Sequence, residues 1–276
     1  MSCSKDSETD DEKSYPFVLD NPEVNLNIIS SGELPYKIHS ITSDNYLNNP
    51  PDTYTLEYYG LTNKIKKVFY QSNNLCENET NAFFYRSDNL ISRVENLKIR
   101  HCEPEFQSVT TYNYNYEGDV LKSVIGRNES FIYEAFFSYN PNGTIKEIYT
   151  NSRPINETHY GYTKTKLAYD ENYNVVEITG EDYYSPTYDS RTTIEYDNKI
   201  NPLKGLFVMN IFNNPIKFFG YLNTNNSIYI KSEYLNIEAQ PTENFYQTTF
   251  EDQKLRSYGD IDGYPFWRQY FINYEW

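Results

Sequence analysis

Five tyrosines, each followed at a set distance by two aliphatic residues, constrain this chain more than any other feature. Counting from Tyr139, aliphatic residues stand six and nine positions on, at Ile145 and Ile148. The same offsets hold for Tyr59 with Ile65 and Val68, Tyr85 with Ile91 and Val94, and Tyr169 with Val175 and Ile178. Tyr116 fits with a turn one residue shorter, through Leu121 and Val124, and "IEYDNKINP" from Ile194 is a divergent copy. Successive anchors lie 23 to 31 residues apart, the span of one β-hairpin per unit. Turn formers sit between the arms. In Asn140-Pro141-Asn142-Gly143 the proline presets a turn φ, the asparagine caps its own backbone, and the glycine accepts a left-handed conformation. That chemistry predicts a type I turn closed by a glycine bulge. Upstream, "FIYEAFFSY" puts Phe131, Tyr133, Ala135, Phe137 and Tyr139 on one face of a strand.

Hairpins joined by short turns pair with their sequence neighbours. The expected fold is therefore all-β, an antiparallel up-and-down meander of repeated β-hairpins. The three-residue spacing of each aliphatic pair sends the two side chains to opposite faces unless a bulge intervenes. Two partly apolar faces cannot both meet water, so the sheet should be strongly curled and open barrel-like.

The chain has 276 residues and no Pro/Gly/Ser-rich linker, which suits one β-repeat domain over residues 16–276 behind a short tether, 1–15. No apolar run approaches the length of a membrane helix. A formal net charge of −15 excludes nucleic acid, which needs a basic footprint, and direct attraction to anionic lipid. The 30 tyrosines have two readings. One is a stacking surface for sugars; the other, favoured here, is codon bias in an AT-rich genome together with the fit of tyrosine to half-exposed strands.

The opening "MSCSKDSETDDEKSYP" crowds Asp6, Glu8, Asp10, Asp11 and Glu12 behind Cys3. So charged a segment cannot offset its ordering entropy and should be disordered. It resembles the mature start of a bacterial lipoprotein, with Cys3 as the lipid-attachment residue. The acidic run is similar to the export signal of surface lipoproteins in the Bacteroidota. Only Met1 and Ser2 precede Cys3, so the apolar signal segment is expected to have been removed.

Together, the tether and the segments "YGLTNKIKKV", "YRSDNLISRV", "YEGDVLKSV", "YNPNGTIKEI" and "YDENYNVVEI" resemble Bacteroidota surface lipoproteins with tyrosine-rich hairpin repeats. These are distantly like the tyrosine-aspartate repeats of Rhs-type proteins. The resemblance runs from about Tyr54 to Leu206, and more loosely to the end, and implies an extended antiparallel meander that sometimes curls toward an open or closed barrel, but no chemistry.

Catalytic and metal signals are weak. His39, His101 and His159 lack metal-ligand partners at standard spacing, and no Gly-x-Ser-x-Gly elbow occurs. Asp260 and Asp262 in "GDIDG" lack the further oxygen ligands of a calcium loop. Cys76 and Cys102 flank the turn near Asp88 at similar distances, so they are expected to form a disulfide at the base of a hairpin. The closing "WRQYFINYEW" alternates like the last strand of an outer-membrane barrel. However, "LKSVIGRNES" puts polar groups on both phases, against the lipid-facing alternation such a barrel needs. It reads instead as the last strand of a soluble sheet.

The expectation is a non-catalytic outer-membrane surface lipoprotein. It would be a binding or scaffold subunit of an outer-membrane uptake, secretion or assembly complex, anchored to the membrane at Cys3 and without a cofactor. The alternative is a carbohydrate-binding lipoprotein that stacks glycan on Trp267 and Trp276; an enzyme of unrecognised type stands third. Aromatics exposed in a concave row would favour glycan, whereas a continuous apolar patch would favour a protein partner.

Overall fold

A computed structural model describes residues 34–45, 52–72, 76–102, 105–157, 162–181, 189–202, 204, 223–251, 254–260 and 268–274. Strands β1 (Ile38–Asn45), β2 (Asp52–Tyr58), β3 (Ile65–Gln71), β4 (Glu77–Tyr85), β5 (Ile91–Arg100), β6 (Phe106–Glu117), β7 (Val120–Arg127) and β8 (Phe131–Tyr139) form the first half. The second half comprises β9 (Ile145–Pro154), β10 (Thr163–Tyr169), β11 (Val175–Glu181), β12 (Ser190–Ile200), β13 (Asn225–Tyr234), β14 (Thr242–Glu251), β15 (Lys254–Asp260) and β16 (Arg268–Tyr274). Each strand pairs antiparallel with its sequence neighbours, as expected for a meander, and β1 pairs with β16 to close the ring. Closure removes the exposed edges that an open sheet would present.

The predicted turn is present. Asn140 accepts from the Gly143 amide at 2.9 Å and donates to the Thr144 carbonyl at 2.8 Å, with Gly143 at φ +83°. Two other turns repeat this pattern without glycine, placing Asn89 at φ +70° and Tyr173 at φ +63°. In each the register shifts by one residue at the anchor tyrosine, so that Tyr85 faces Ile91, Tyr139 faces Ile145 and Tyr169 faces Val175. These are the bulges on which the spacing argument turned. They bring both aliphatics of a pair to the same inner face: Ile65 and Val68, like Ile91 and Val94, are at most 1% exposed. The first anchor is Tyr58 and not Tyr59. The longer turn places Tyr58 opposite Ile65, while Tyr59, 39% exposed, packs edge-on against Tyr85 and donates to the Phe83 carbonyl.

The anchor tyrosines follow one rule. The first buried aliphatic of each odd strand from β1 to β11 lies two residues before the ladder to the next strand begins. Ile65 precedes the first β3–β4 pair at Lys67, and Ile91 precedes the first β5–β6 pair at Arg93. On that side its backbone therefore has no strand partner. The tyrosine at the end of the following strand supplies one. Tyr85 donates to the Ile65 carbonyl at 2.6 Å, Tyr116 to Ile91 at 2.7 Å, Tyr139 to Leu121 at 2.6 Å and Tyr196 to Val175 at 2.6 Å. Tyr58 bonds both the amide and the carbonyl of Ile38, and Tyr169 bonds the Ile145 backbone. A buried carbonyl without a donor costs about 1–3 kcal/mol, so these positions require a hydroxyl on an apolar ring.

The apolar core lies inside the ring, concentrated at the end that carries these turns. Ile38, Ile65, Val68, Ile91, Ala135, Phe137 and Val175 are all 0% exposed there. The outer wall carries ion pairs on several strands: Arg93 pairs with Glu95, Lys164 with Glu147, Arg191 with Glu177 and Lys231 with Glu243. On β8 and β9 the outer side is covered instead. Phe136 packs on Tyr162, Arg153 donates to the Glu157 carbonyl, and Glu134 lies 3.6 Å from Arg153. Strand β16 does close a barrel, but Ile272 and Tyr274 turn into the core and not toward lipid.

Candidate functional site at the mouth of the barrel

At the end opposite the turns the inner wall changes character. On β2–β6, moving from core to mouth, the rows of facing residues become polar. Leu56 and Val68 share a row with Asn81, Asn96 and Thr110; the next row holds Tyr54, Tyr70, Glu79, Lys98 and Ser108. The side chains are tied together. Glu79 Oε1 accepts from Asn81 Nδ2 at 3.1 Å and Asn96 Nδ2 at 2.7 Å, and Asn96 also donates to Asn81 Oδ1 at 2.9 Å. Lys98 lies 2.7 Å from Glu77, and Tyr54 stacks against Tyr70 with centroids 4.8 Å apart. Such a wall offers fixed donors and acceptors whose positions are held by neighbours.

Across the lumen the wall is different. On β9–β13 the inner rows toward the mouth carry Thr150, Thr163, Thr165, Ser190, Thr192 and Ser232. Thr192 and Ser232 hydrogen-bond at 2.9 Å. This sector has hydroxyls and no charge. Between the two sectors, Tyr112 and Tyr133 lie over Gly126: a Cβ added at that glycine would sit 2.4 Å from the Tyr112 ring. The ring takes the place of the missing side chain, which explains a glycine in mid-strand. Burial raises the Tyr112 phenol well above its ordinary range, aided by Tyr133 and Glu79.

The sequence-derived site residues fall unevenly. Cys76 and Cys102 form the expected disulfide, with Cα atoms 5.1 Å apart, at the mouth ends of β4 and β5. There the His101 amide donates to the Cys76 carbonyl at 2.7 Å. His101 meets Asn78 at 3.1 Å through Nε2, and His39 is exposed in β1. Cys3, Trp267, Trp276, His159 and Asp262 lie outside the described residues, as does the Asp260 side chain. Among the described residues no three His, Cys, Asp or Glu side chains gather as metal ligands, and no helix is long and apolar enough to cross a membrane. The inner mouth could not be found from sequence, because which residues face inward depends on register and bulges.

No family model and no curated protein matches the chain. Among solved structures, a porin-like protein from Bacteroides vulgatus ATCC 8482 is similar in fold, with TM-score 0.53, 11% identity, and coverage of 87% of this chain and 99% of that one. A porin-like protein from Bacteroides uniformis ATCC 8492 aligns with TM-score 0.41 and 11% identity, over 88% of this chain and 100% of its own. At 11% identity the first of these shows a likeness of fold alone.

Proposed function

We propose that the chain is a non-catalytic outer-membrane surface lipoprotein, held by Cys3 and serving as a binding or scaffold subunit of an outer-membrane protein complex. The supporting observation is how polarity is sorted around the outer wall. A wall in lipid would lose about 2–4 kcal/mol for each Lys or Arg at the bilayer midplane. Here Arg93, Lys164, Lys166, Arg191 and Lys231 all face outward by register. The wall suits water, so attachment falls to the tether. One sector is free of charge. Across β16 and β1–β6, two adjoining outer rows near the mouth hold only uncharged residues, including Phe69, Leu97, Ile99, Val109 and Phe271. Phe69, Val109 and Phe271 are 38%, 49% and 38% exposed. An uncharged band that sets Phe69, Leu97, Ile99, Val109 and Phe271 among hydroxyls and amides is the surface on which a protein partner would sit.

With its export signal supplied, the wild-type protein should fractionate with the outer membrane and be cut by protease added to intact cells. The Cys3→Ala variant should appear in the soluble fraction. A Cys3→Ala protein still in the membrane fraction would remove the anchor, and protection in intact cells would remove surface exposure. Val109→Arg should abolish recovery of the complex while leaving the melting transition unchanged. Retention of the same partner in stoichiometric amount would refute docking at this band.

A further inference from the structure

We infer that the mouth of the barrel is a binding site for neutral oligosaccharide, distinct from the outer docking band. The rim carries the first observation. Phe106, Phe131 and Tyr234 stand at the mouth ends of β6, β8 and β13, and register turns each of them inward. They are nevertheless 49%, 40% and 48% exposed. Single exposed aromatics on a convex surface need no explanation. Three on one end and one face of a concavity are a different case, since each leaves an apolar ring in water where a ligand passes. The face of an aromatic ring is an apolar platform with a negative quadrupole, suited to the C–H face of a sugar ring.

Below the rim lies the hydroxyl sector of β9–β13, where Thr150, Thr163, Ser190 and Ser232 are at least partly exposed while Thr165 and Thr192 are buried behind them. A threonine or serine hydroxyl both donates and accepts, so it can pair with a sugar hydroxyl in either sense and needs no charge on the ligand. The facing wall sets the sign of the charge that is tolerated. Asp52, Glu77 and Glu79 outnumber Lys98 and Arg100 on the inner rows, and the whole chain carries −15. An anionic polysaccharide meets repulsion there, whereas a neutral one does not; the buried Asn81 side chain, held by Glu79 and Asn96, fixes that wall from behind. A lumen lined merely for solvation would account for the hydroxyls but not for the aromatic rim.

The test is native affinity electrophoresis of the purified protein in gels containing neutral glucans, mannans, xylans or galactans, with polygalacturonate as the acidic comparison. At least one neutral polysaccharide should retard the protein. In the triple variant Phe106→Ala/Phe131→Ala/Tyr234→Ala the apparent affinity should fall by about tenfold or more, with an unchanged circular-dichroism melt because the rings are exposed. Phe69→Ala/Val109→Ala on the outer band should be retarded like wild type. Three results overturn the inference: no retardation by any neutral polysaccharide, undiminished retardation of the triple variant, or retardation by polygalacturonate alone. Because the assay uses no membrane and no partner, failure of the scaffold reading would leave its outcome unchanged.

Discussion

Replacing Tyr139 with phenylalanine should destabilise the protein although every ring contact is kept. Tyr139 is 4% exposed, and its hydroxyl donates to the Leu121 carbonyl at 2.6 Å. The β7–β8 ladder begins only at Ser123, so no strand amide replaces that donor. The loss is the penalty for a buried acceptor left unmade, about 1–3 kcal/mol. For a domain of this size each kcal/mol lowers Tm by about 2–4 °C. Tyr139→Ala removes the ring as well and should reach about 3–5 kcal/mol. Urea unfolding of wild type and both variants, with Tyr173→Phe as an exposed control, separates the hydroxyl from the ring. If Tyr139→Phe stays within about 0.5 kcal/mol of wild type, the range of an ordinary surface change, the hydroxyls do not cap the bulges and the argument fails.

The two kinds of turn should respond with opposite signs. Gly143→Val forces a β-branched residue to φ +83° and should cost about 1–3 kcal/mol, whereas Tyr173→Gly relieves φ +63° and should be neutral or stabilising in the same unfolding assay. Burial raises the phenol pKa of Tyr112, Tyr114, Tyr139, Tyr169 and Tyr196. Below about pH 10 these groups are neutral folded or unfolded and stability does not depend on them; above it only the unfolded chain ionises. Stability should then fall by about 1.4 kcal/mol per pH unit for each tyrosine. Tyrosinate absorbance followed from pH 9 to 12 should rise together with loss of β signal, and ionisation of these phenols in a still-folded protein would contradict the assignment. The disulfide closes a separation of 26 residues. Cys76→Ser/Cys102→Ser should lose about 3–4 kcal/mol by the loop-entropy estimate, and non-reducing peptide mapping should recover the linked pair.

What the sequence revealed and what it hid follow from the range of each interaction. The turn at Asn140–Gly143 and the placing of Cys76 and Cys102 about a shared hairpin are local, so residue types and spacing sufficed. The direction of the aliphatic pairs was conditional on a bulge, and the structure supplies it at Tyr85, Tyr139 and Tyr169. The role of the tyrosine hydroxyl was not legible. The carbonyl it serves stands about twenty residues earlier, on a strand whose ladder starts two residues late, and neither fact exists before register does. The abundance of tyrosine looked compositional, yet five of these residues donate a hydroxyl to a strand carbonyl. Closure was equally hidden, because β1 and β16 lie at opposite ends of the chain and neither carries the repeated spacing. The same holds for the aromatic rim. Phe106, Phe131 and Tyr234 share no motif and are joined only by facing inward at one end.

The barrel packs its aliphatic core inside, and its outer wall, which carries ion pairs beside scattered apolar side chains, is expected to face water. Sedimentation velocity of the Cys3→Ser protein, folded with its disulfide and studied first without and then with detergent above its micelle concentration, tests it directly. The account predicts a folded, monodisperse β protein in plain buffer, whose buoyant mass is unchanged by detergent. A protein that aggregates in buffer and becomes monodisperse only with a bound belt of detergent would show that the outer wall belongs in lipid.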